Sequence, residues 1–433
     1  MLRRSARVFC AQSFEEQYRS AASGIKGGSS SQLSSIHIGV NRSECGALLD
    51  VLRKFEDADI SLEHIQSRRT PLRNKSKVTS IMLHAPYVKT HPKMVSVMAE
   101  LEKMNLPILS VQGSWDIPWF PTCAADLDLL DQQTLAAGAE LADDPENPHP
   151  GFHDQEYRSR RTKIVEAAHK YRHGQPLPDV DYNEAENKTW EAVWKQLTGL
   201  HNTHACKEYN RAFPRLIESA NFRRDRVPQL SDLSNFLQEE TGFTLRPVAG
   251  LLSTRDFLNA LAFRVFYSTQ YIRHHSKPFY TPEPDCVHEL LGHAPLFADP
   301  AFADFSQEIG LLSLGASDAD IDRLGKLYWY SVEFGLTKEG GSVRAYGAGL
   351  LSSFGELEYS LTDKPKKLPW DPWVASELEF PITTYQPTYF VAESFVDAQD
   401  KLRAFGRTFD RPFFIEHIAA TNSVRTWPMH DFQ

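Results

Sequence analysis

Hydrophobic positions follow two different periods along the chain, and the change of period divides the chain into parts. Between residues 36 and 111, short alternating runs of apolar and polar residues flank segments with apolar residues at helical spacing. Alternation predicts a strand, and apolar positions three and four apart predict an amphipathic helix. The predicted elements are strand 36–40, helix 44–59, strand 60–65, strand 78–83, helix 94–104 and strand 108–111. This βαββαβ order is that of a ferredoxin-like unit, in which the helices pack on one face of the sheet.

Helical periodicity dominates after residue 116. Two apolar stripes at helical spacing are expected to lie in the core: Trp190, Val193, Trp194, Leu197 and Leu200, and Leu258, Leu261, Ala262, Val265 and Phe266. The predicted fold class is α+β, with a ferredoxin-like unit at 34–115 followed by a mostly α-helical domain at 116–413. A polar tail at 1–33 is expected to be disordered, and residues 414–433 are expected to form a short C-terminal tail.

Composition and charge exclude several classes of protein. The chain has 433 residues, a formal net charge of −9 and 41% hydrophobic residues, as expected of a globular protein with two or three domains. The acidic balance disfavours a general affinity for nucleic acid, and no apolar run is long enough to span a membrane. The five cysteines lack CxxC spacing, which disfavours a zinc ribbon or disulfide scaffold and predicts a reducing compartment, the cytoplasm.

The candidate chemistry lies around a pair of histidines, His288 and His293. Two imidazoles and one carboxylate form the ligand set of mononuclear non-haem iron(II) oxygenases. Asp285 and Glu289 are near the histidines in sequence and Glu333 is more distant, so local spacing does not decide the third ligand. Glu333 is favoured because it lies in an apolar run, where a carboxylate is costly without a partner such as a cation. Asp285 is then expected to orient an imidazole without binding the metal itself.

The spacing of the two histidines carries further information. They are five residues apart, so on a straight α-helix their side chains would diverge by about 140°. The sequence therefore predicts an irregularity in this helix, which Gly292 would permit. Zinc peptidases use His-Glu-x-x-His, which is one residue shorter than the segment from His288 to His293, so a zinc metallohydrolase is disfavoured. Two core histidines without a metal are the other alternative that the residues leave open.

Longer segments resemble one known family, the pterin-dependent aromatic amino acid hydroxylases. The resemblance covers roughly residues 116–413 and is carried by the histidine segment and by residues 245–258, 262–266, 269–274, 307–310, 346–356 and 391–395. The unit at 34–115 similarly resembles the ACT regulatory domain of that family. The resemblance implies the hydroxylase fold and an enzyme that uses iron(II), tetrahydrobiopterin and dioxygen to hydroxylate an aromatic amino acid. A non-catalytic amino acid sensor is the alternative in which ligand binding alone is retained.

The resemblance also implies roles for individual residues. His288, His293 and Glu333 match the iron ligands of the family. The positions that match its tetrahydrobiopterin site are Val248, Gly250, Leu251, Leu252, Thr254, Phe257, Leu258, Glu289 and Tyr328. The positions that match its amino acid site are Arg273, Tyr280, Thr281, Pro284, Trp329, Phe334, Gly349 and Ser352. The planar guanidinium of Arg273 suits a substrate carboxylate, since it can donate two parallel hydrogen bonds.

Phenylalanine is the expected substrate. Trp329 resembles the phenylalanine- and tyrosine-hydroxylating members of the family, and Ile382 and residues 279–283 fit the phenylalanine type. Tyrosine and tryptophan hydroxylation are the alternatives within the family. The C-terminal residues lack the long helix that joins tetramers in this family, and no sustained heptad is present. A tetramer is therefore not supported, and a homodimer or a monomer is expected.

Overall fold

The computed structural model of the chain describes residues 34–41, 46–62, 64–69, 78–85, 87, 91–104, 108–113, 120–130, 141, 149–250, 252–382, 384–409, 411 and 413–428. The tail predicted at 1–33 lies outside the described residues. Within the described ranges, no helix is long and apolar enough to cross a membrane.

The described strands are β1 (Ser34–Asn41), β2 (His64–Arg69), β3 (Val78–Ala85), β4 (Ile108–Gly113), β5 (Thr244–Pro247), β6 (Val265–Ser268), β7 (Leu336–Glu339), β8 (Ser342–Ala345), β9 (Lys366–Pro369), β10 (Thr388–Ala392), β11 (Phe413–Ile418) and β12 (Ser423–Pro428). The α-helices span Ala47–Asp57, Pro92–Lys103, Gln155–Lys170, Glu184–His204, Lys207–Ser219, Leu230–Glu240, Thr254–Leu261, Ala294–Phe297, Pro300–Ser313, Asp318–Tyr328, Ala348–Leu351, Phe354–Leu361, Pro372–Ala375 and Phe395–Gly406. π-Helical turns span His288–His293 and Trp329–Glu333, and 3₁₀ turns span Ala124–Leu129 and Ala419–Thr421.

The first unit is an antiparallel sheet in the order β2-β3-β1-β4, accompanied by two helices. Ile36 from β1 and Phe55 from the first helix are buried in one apolar cluster. The βαββαβ order agrees with the prediction, but β2 begins at His64 rather than at residue 60. The residues between the first helix and β2 terminate that helix. Asp59 has a left-handed backbone with φ 53°, and the Ile60 N–H donates to the Phe55 carbonyl at 2.9 Å.

The second unit combines helices with short strands around a large apolar core. The helix Glu184–His204 begins at a capping box, in which Asn183 and Glu186 each accept a hydrogen bond from the backbone N–H of the other. Its predicted apolar stripe faces the core, where Trp190 and Val193 are buried. The first stripe is therefore confirmed as a core-facing helix surface.

The second predicted stripe is buried, but it is not one helix. The helix Thr254–Leu261 ends at Leu261, and Val265 and Phe266 lie in β6, which pairs with β5 in parallel. The reason is a tight reversal between the two elements. Arg264 has a left-handed backbone with φ 51°, and the N–H groups of residues 263 and 264 return to carbonyls three positions back. Burial was thus predicted correctly from the apolar pattern, whereas the secondary structure was wrong.

Two features of the second unit fix the segments around the predicted site. The sheet β8-β7-β10-β9 begins directly after Glu333, because β7 starts at Leu336 and pairs with both β8 and β10. The hairpin of β11 and β12 is attached to the unit by the Val424 N–H, which donates to the Thr122 carbonyl at 2.8 Å. This hairpin begins at Phe413, the residue at which the mostly helical domain was predicted to end. The domain boundary at residue 413 stays a prediction.

Candidate active site

A π-helical turn carries both predicted histidines. Asp285 caps its start, since Oδ1 accepts from the His288 N–H at 3.3 Å. In a π-helix the backbone hydrogen bonds join residues five apart, as the Ala294 N–H does with the Glu289 carbonyl. His288 and His293 are therefore neighbours one turn apart, with ring centroids 4.7 Å and Nε2 atoms 3.0 Å from each other. The predicted irregularity of this helix is confirmed.

Gly292 allows a second segment to approach this turn. A Cβ at Gly292 would lie 2.7 Å from the Ala348 carbonyl oxygen, too close for any side chain. The approach brings Ser352 to the histidines, with its Oγ 3.0 Å from His288 Nδ1. Because this hydroxyl donates its single proton to the Ala348 carbonyl at 2.7 Å, Nδ1–H must be the donor to Oγ. His288 therefore carries a proton on Nδ1, so its neutral form presents an unprotonated Nε2.

The second π-helical turn, Trp329–Glu333, ends on the predicted third ligand. Glu333 Oε1 lies 3.1 Å from His293 Nε2, and Oε2 lies 3.4 Å from His288 Nε2. The donor atoms of these three residues, the His-His-Glu cluster, thus form a small triangle. Ligands at about 2.1 Å from a metal and at right angles to each other are about 3 Å apart, so the triangle matches one face of an octahedral site.

The negative charge of Glu333 in the His-His-Glu cluster is not balanced by a lysine or arginine among the described residues. Burial raises the pKa of Glu333, but the two neighbouring imidazoles outweigh it and hold that pKa well below its ordinary value, so the carboxylate is ionised. Among the described residues, no lysine or arginine forms an ion pair with Glu333. A buried carboxylate beside two imidazole nitrogens is a donor set that a divalent cation completes.

Among the residues that the structure describes, two other groupings bring metal-binding atoms within 4.8 Å of one another. Glu289 lies near both histidines, but its Oε1 is 3.4 Å from the N–H and hydroxyl of Thr269, and burial raises its pKa to about 8, so it is largely protonated at neutral pH. The other grouping is Asp154, His274 and His275. There, His274 Nε2 contacts Asp154 Oδ2 at 3.1 Å and its Nδ1 contacts a serine hydroxyl at 2.7 Å, so both ring nitrogens already have partners.

Asp285 forms a buried ion pair with Arg273. The Nε and Nη2 atoms of Arg273 donate to the two carboxylate oxygens at 2.8 and 2.7 Å, and its backbone N–H adds a hydrogen bond of 2.8 Å. Asp285 was predicted to orient an imidazole. Its carboxylate accepts from Arg273 and from the His288 backbone N–H, while Ser352 contacts the His288 ring, so this role stays a prediction. A guanidinium offers a carboxylate two parallel donors, whereas an imidazole offers one.

A cavity of about 550 Å³ opens beside the His-His-Glu cluster. From the predicted pterin site, its lining contains Val248, Gly250, Leu252, Thr254, Phe257, Leu258, Glu289 and Tyr328. From the predicted amino acid site, it contains Pro284, Trp329, Phe334 and Gly349. Leu251 lies outside the described residues. The predicted residues that do not line the described cavity are Arg273, Tyr280, Thr281 and Ser352.

The lining also contains residues that the sequence analysis did not assign to a site: Phe266, Thr269, Tyr271, Ile321, Asp322, Gly325, Lys326, Glu379 and Phe380. Those at 321–326 lie on the helix Asp318–Tyr328, and counting back from Trp329 by three and four residues finds this face. Phe380 lies in an irregular segment that no sequence period marks. It stacks on Trp329, with ring centroids 4.3 Å apart and ring planes 12° apart.

Comparison with known proteins identifies the family to which the chain is related. The sequence model for biopterin-dependent aromatic amino acid hydroxylases matches residues 118–431, which is more than half of the chain. The chain belongs to this family. The resemblance noted from the sequence is thereby confirmed, and the hydroxylase has the catalytic fold of the family, with mixed helices and strands.

Individual relatives are similar to most of this hydroxylase. Phenylalanine-4-hydroxylase of Bos taurus is 51% identical over 384 residues, which are 88% of this chain and 84% of the relative. The Homo sapiens protein of the same name is 50% identical with the same coverage. The crystal structure of phenylalanine hydroxylase from Chromobacterium violaceum, with bound iron(III) and 7,8-dihydrobiopterin, matches with a TM-score of 0.50 and 33% identity. That match covers 54% of this chain and 84% of the other.

Proposed function

We propose that this hydroxylase converts phenylalanine to tyrosine with dioxygen and tetrahydrobiopterin at a single iron(II). The substrate is supported by the relatives named phenylalanine-4-hydroxylase, which are 50–51% identical over 88% of the chain. The chemistry rests chiefly on one observation, the triangle of His288, His293 and Glu333 beside a cavity large enough for a ligand.

Iron(II) would be held by the His-His-Glu cluster. The fit is supported by the separations of 3.0 to 3.4 Å between donor atoms, by the ionised carboxylate and by the contact of His288 Nδ1 with Ser352, which leaves Nε2 facing the other two donors. Binding three ligands on one face leaves the other face open. When bound there, iron and reduced pterin supply the electrons that activate dioxygen. Ser352 fixes the tautomer and ring orientation of His288 in advance, which favours the metal-binding form.

Tetrahydrobiopterin would lie against the wall that carries Val248, Gly250, Leu252 and Phe257. The Phe257 ring lines the cavity and packs on the Tyr328 ring at a centroid distance of 5.1 Å and an angle of 81°, and it is the aromatic ring proposed to stack on the flat heterocycle. Glu289 lies in the same lining. Because burial raises its pKa to about 8, its carboxyl group can both donate and accept a hydrogen bond at neutral pH.

The aromatic ring of the substrate would pack against Trp329, Phe334 and Pro284. Gly349 makes room for this wall, since a Cβ there would lie 2.7 Å from the Phe334 ring. The same apolar groups exclude water from the reacting ring. Arg273 remains the proposed partner of the substrate carboxylate. Within the fold, Asp285 accepts from its Nε and Nη2 atoms, and the Pro278 carbonyl accepts from its Nη1 atom at 3.4 Å.

The remaining parts of the chain complete the proposal. We assign residues 34–115 to an ACT-like regulatory domain and residues 116–413 to the catalytic domain, flanked by a tail at 1–33 and a C-terminal segment at 414–433. The first assignment is supported by the ferredoxin-like order of β1 to β4 and their helices. A homodimer and a cytoplasmic location remain proposals, the second supported by free thiols at Cys123, Cys206 and Cys286.

The test is a product assay with each aromatic amino acid. Purified enzyme receives iron(II), dioxygen and tetrahydrobiopterin, with phenylalanine, tyrosine or tryptophan as the sole substrate. We expect tyrosine to form from phenylalanine with the highest kcat/KM of the three, and no product when the pterin is omitted. Absence of tyrosine, or faster turnover of tryptophan, would overturn the substrate assignment.

A further inference from the structure

Gln386 is a fully buried residue that is not part of the described cavity lining, yet it joins two parts of the cavity wall. Its Oε1 accepts from the indole N–H of Trp329 at 3.2 Å, and its Nε2 donates to the Pro381 carbonyl at 2.7 Å. Its backbone N–H donates to Glu356 Oε1 at 3.0 Å. One side chain thus ties the π-helical turn at Trp329 to the irregular segment around Pro381.

The orientation of this amide is fixed by its partners. An indole N–H can only donate and a backbone carbonyl can only accept, so the oxygen of Gln386 must face Trp329 and the nitrogen must face Pro381. The backbone of Gln386 is held separately, because Glu356 Oε1 also accepts from the Tyr389 hydroxyl at 2.8 Å. Replacing the side chain therefore leaves the backbone anchor in place.

The two parts that Gln386 joins form one aromatic surface. The rings of Trp329 and Phe380 are stacked at 4.3 Å, and Trp329 also packs on Phe334 at 4.7 Å. All three line the cavity. The Phe380 segment is held at other points as well, since Lys326 pairs with Glu379 at 2.6 Å. Among the side-chain hydrogen bonds of the described residues, those of the Gln386 amide link the indole to this segment.

We propose that Gln386 is a positioning residue that sets the shape of the substrate-ring wall through Trp329, and thereby helps the enzyme to discriminate among aromatic amino acids. The inference rests on the proposed function. A hydrogen bond that fixes the indole and the neighbouring backbone holds the wall close to a six-membered ring. Without it, the indole and the Phe380 segment separate more easily and admit a larger ring.

The variant Gln386→Leu tests this proposal. It keeps the approximate volume but removes both side-chain hydrogen bonds. Loss of one such bond corresponds to about a fivefold change, so we expect the ratio of kcat/KM for phenylalanine to that for tryptophan to fall about fivefold. Dissociation constants of both amino acids, measured by calorimetry, are expected to change in the same sense. Gln386→Glu keeps an acceptor for the indole N–H, and we expect it to retain most of the preference.

A matched control separates positioning from general destabilisation. Gln229 also makes two side-chain hydrogen bonds, both to the backbone of Val180 at 2.9 Å. It is not among the lining residues of the described cavity. We expect Gln229→Leu to lower the melting temperature while leaving the substrate ratio unchanged. Gln386→Leu should change the ratio even at temperatures where both variants are fully folded.

A double-variant cycle tests whether Gln386 acts through Trp329. Trp329→Phe removes the indole N–H, so in that background Gln386→Leu is expected to change the substrate ratio less than about twofold. An unchanged ratio in Gln386→Leu, or an equal change in both backgrounds, would overturn the proposal. These outcomes differ from failure of the proposed function, in which the unmodified enzyme itself would form no tyrosine from phenylalanine.

Discussion

Two neighbouring regions of this hydroxylase hold buried or partly buried carboxylates, and they balance the negative charge in different ways. In the segment 281–285, each acid has its own arginine. The buried Asp285 pairs with Arg273, and the partly buried Glu283 pairs with Arg161 and also contacts His149 Nε2 at 3.3 Å. In the His-His-Glu cluster, by contrast, Glu333 faces two imidazoles. In the first region, arginine side chains balance the carboxylate charges. In the second region, a bound metal cation would balance the charge of Glu333.

A structural charge and a charge at a binding site can be distinguished by their partners. Both Glu283 and Glu333 are ionised, since neighbouring groups overcome the effect of burial, lower the pKa of Glu283 to about 2 and hold that of Glu333 well below its ordinary value. The distinction lies in the geometry of the partners. A forked guanidinium satisfies a carboxylate within the fold, while three converging donors about 3 Å apart define one coordination face for a metal ion.

The largest effect is expected from Glu333→Gln, which removes the charge of the third ligand. We expect loss of iron and loss of tyrosine formation below detection, with a circular dichroism spectrum like that of the unmodified enzyme. Iron content per chain and product formation measure the two effects. The matched control is Glu283→Gln, which should retain iron. Full iron content and activity in Glu333→Gln would contradict the proposed role of Glu333 as an iron ligand.

Glu283→Gln should instead reduce stability, because it removes the carboxylate charge that pairs with the buried Arg161. We expect about 3–5 kcal/mol less unfolding free energy in chemical denaturation. The pKa of Glu283 is lowered to about 2 from an ordinary 4.5, so its stabilisation is present above about pH 4.5 and is lost as the pH falls toward 2. The variant should therefore lose this part of the acid sensitivity. A stability equal to that of the unmodified enzyme at pH 7 would contradict the structural role.

Glu356 is a third case, because it is a buried acid that forms an ion pair with neither an arginine nor a histidine among the described residues. Its Oε2 has no hydrogen-bond partner among the described residues, and burial raises its pKa to about 7. A raised pKa means that the folded state binds the proton more tightly, so stability falls as the pH rises from about 4.5 to 7. Glu356→Gln should remove up to about 3 kcal/mol of that fall. Parallel stability curves of enzyme and variant against pH would contradict this expectation.

Ser352→Ala should have the smallest effect. It removes the acceptor that fixes the His288 tautomer but leaves all three proposed ligands in place. We expect iron(II) affinity to fall about tenfold, the lower end for groups that orient a ligand, with little change in melting temperature. Anaerobic iron(II) titration measures the affinity. A loss as large as that of Glu333→Gln would mean that Ser352 does more than orient His288.

Two features around the histidines could be predicted from residue type and spacing. The five-residue spacing of the histidines required an irregular helix, and the π-helical turn meets that requirement. An acid in an apolar run pointed to Glu333, which lies beside both imidazoles, while its role as a ligand stays a prediction. Both inferences depend on ligand geometry and on the cost of burying charge, which residue type and spacing express directly.

What the sequence could not predict depends on contacts between distant segments. Ser352 reaches His288 because Gly292 lets residue 348 approach, and one-dimensional spacing carries no trace of that approach. Asp285 was assigned to an imidazole because the pattern does not reveal that Arg273 faces it. Likewise, the stripe from residue 258 to 266 is apolar throughout, so its periodicity could not reveal the reversal between helix and strand.

The most direct test of the account is the position of iron in crystals of the iron(II)-loaded enzyme, measured by anomalous scattering at the iron absorption edge. We predict one peak at about 2.1 Å from His288 Nε2, His293 Nε2 and a carboxylate oxygen of Glu333, on the side that faces the cavity. A peak at Asp154, His274 and His275 instead, with the His-His-Glu cluster empty, would contradict it.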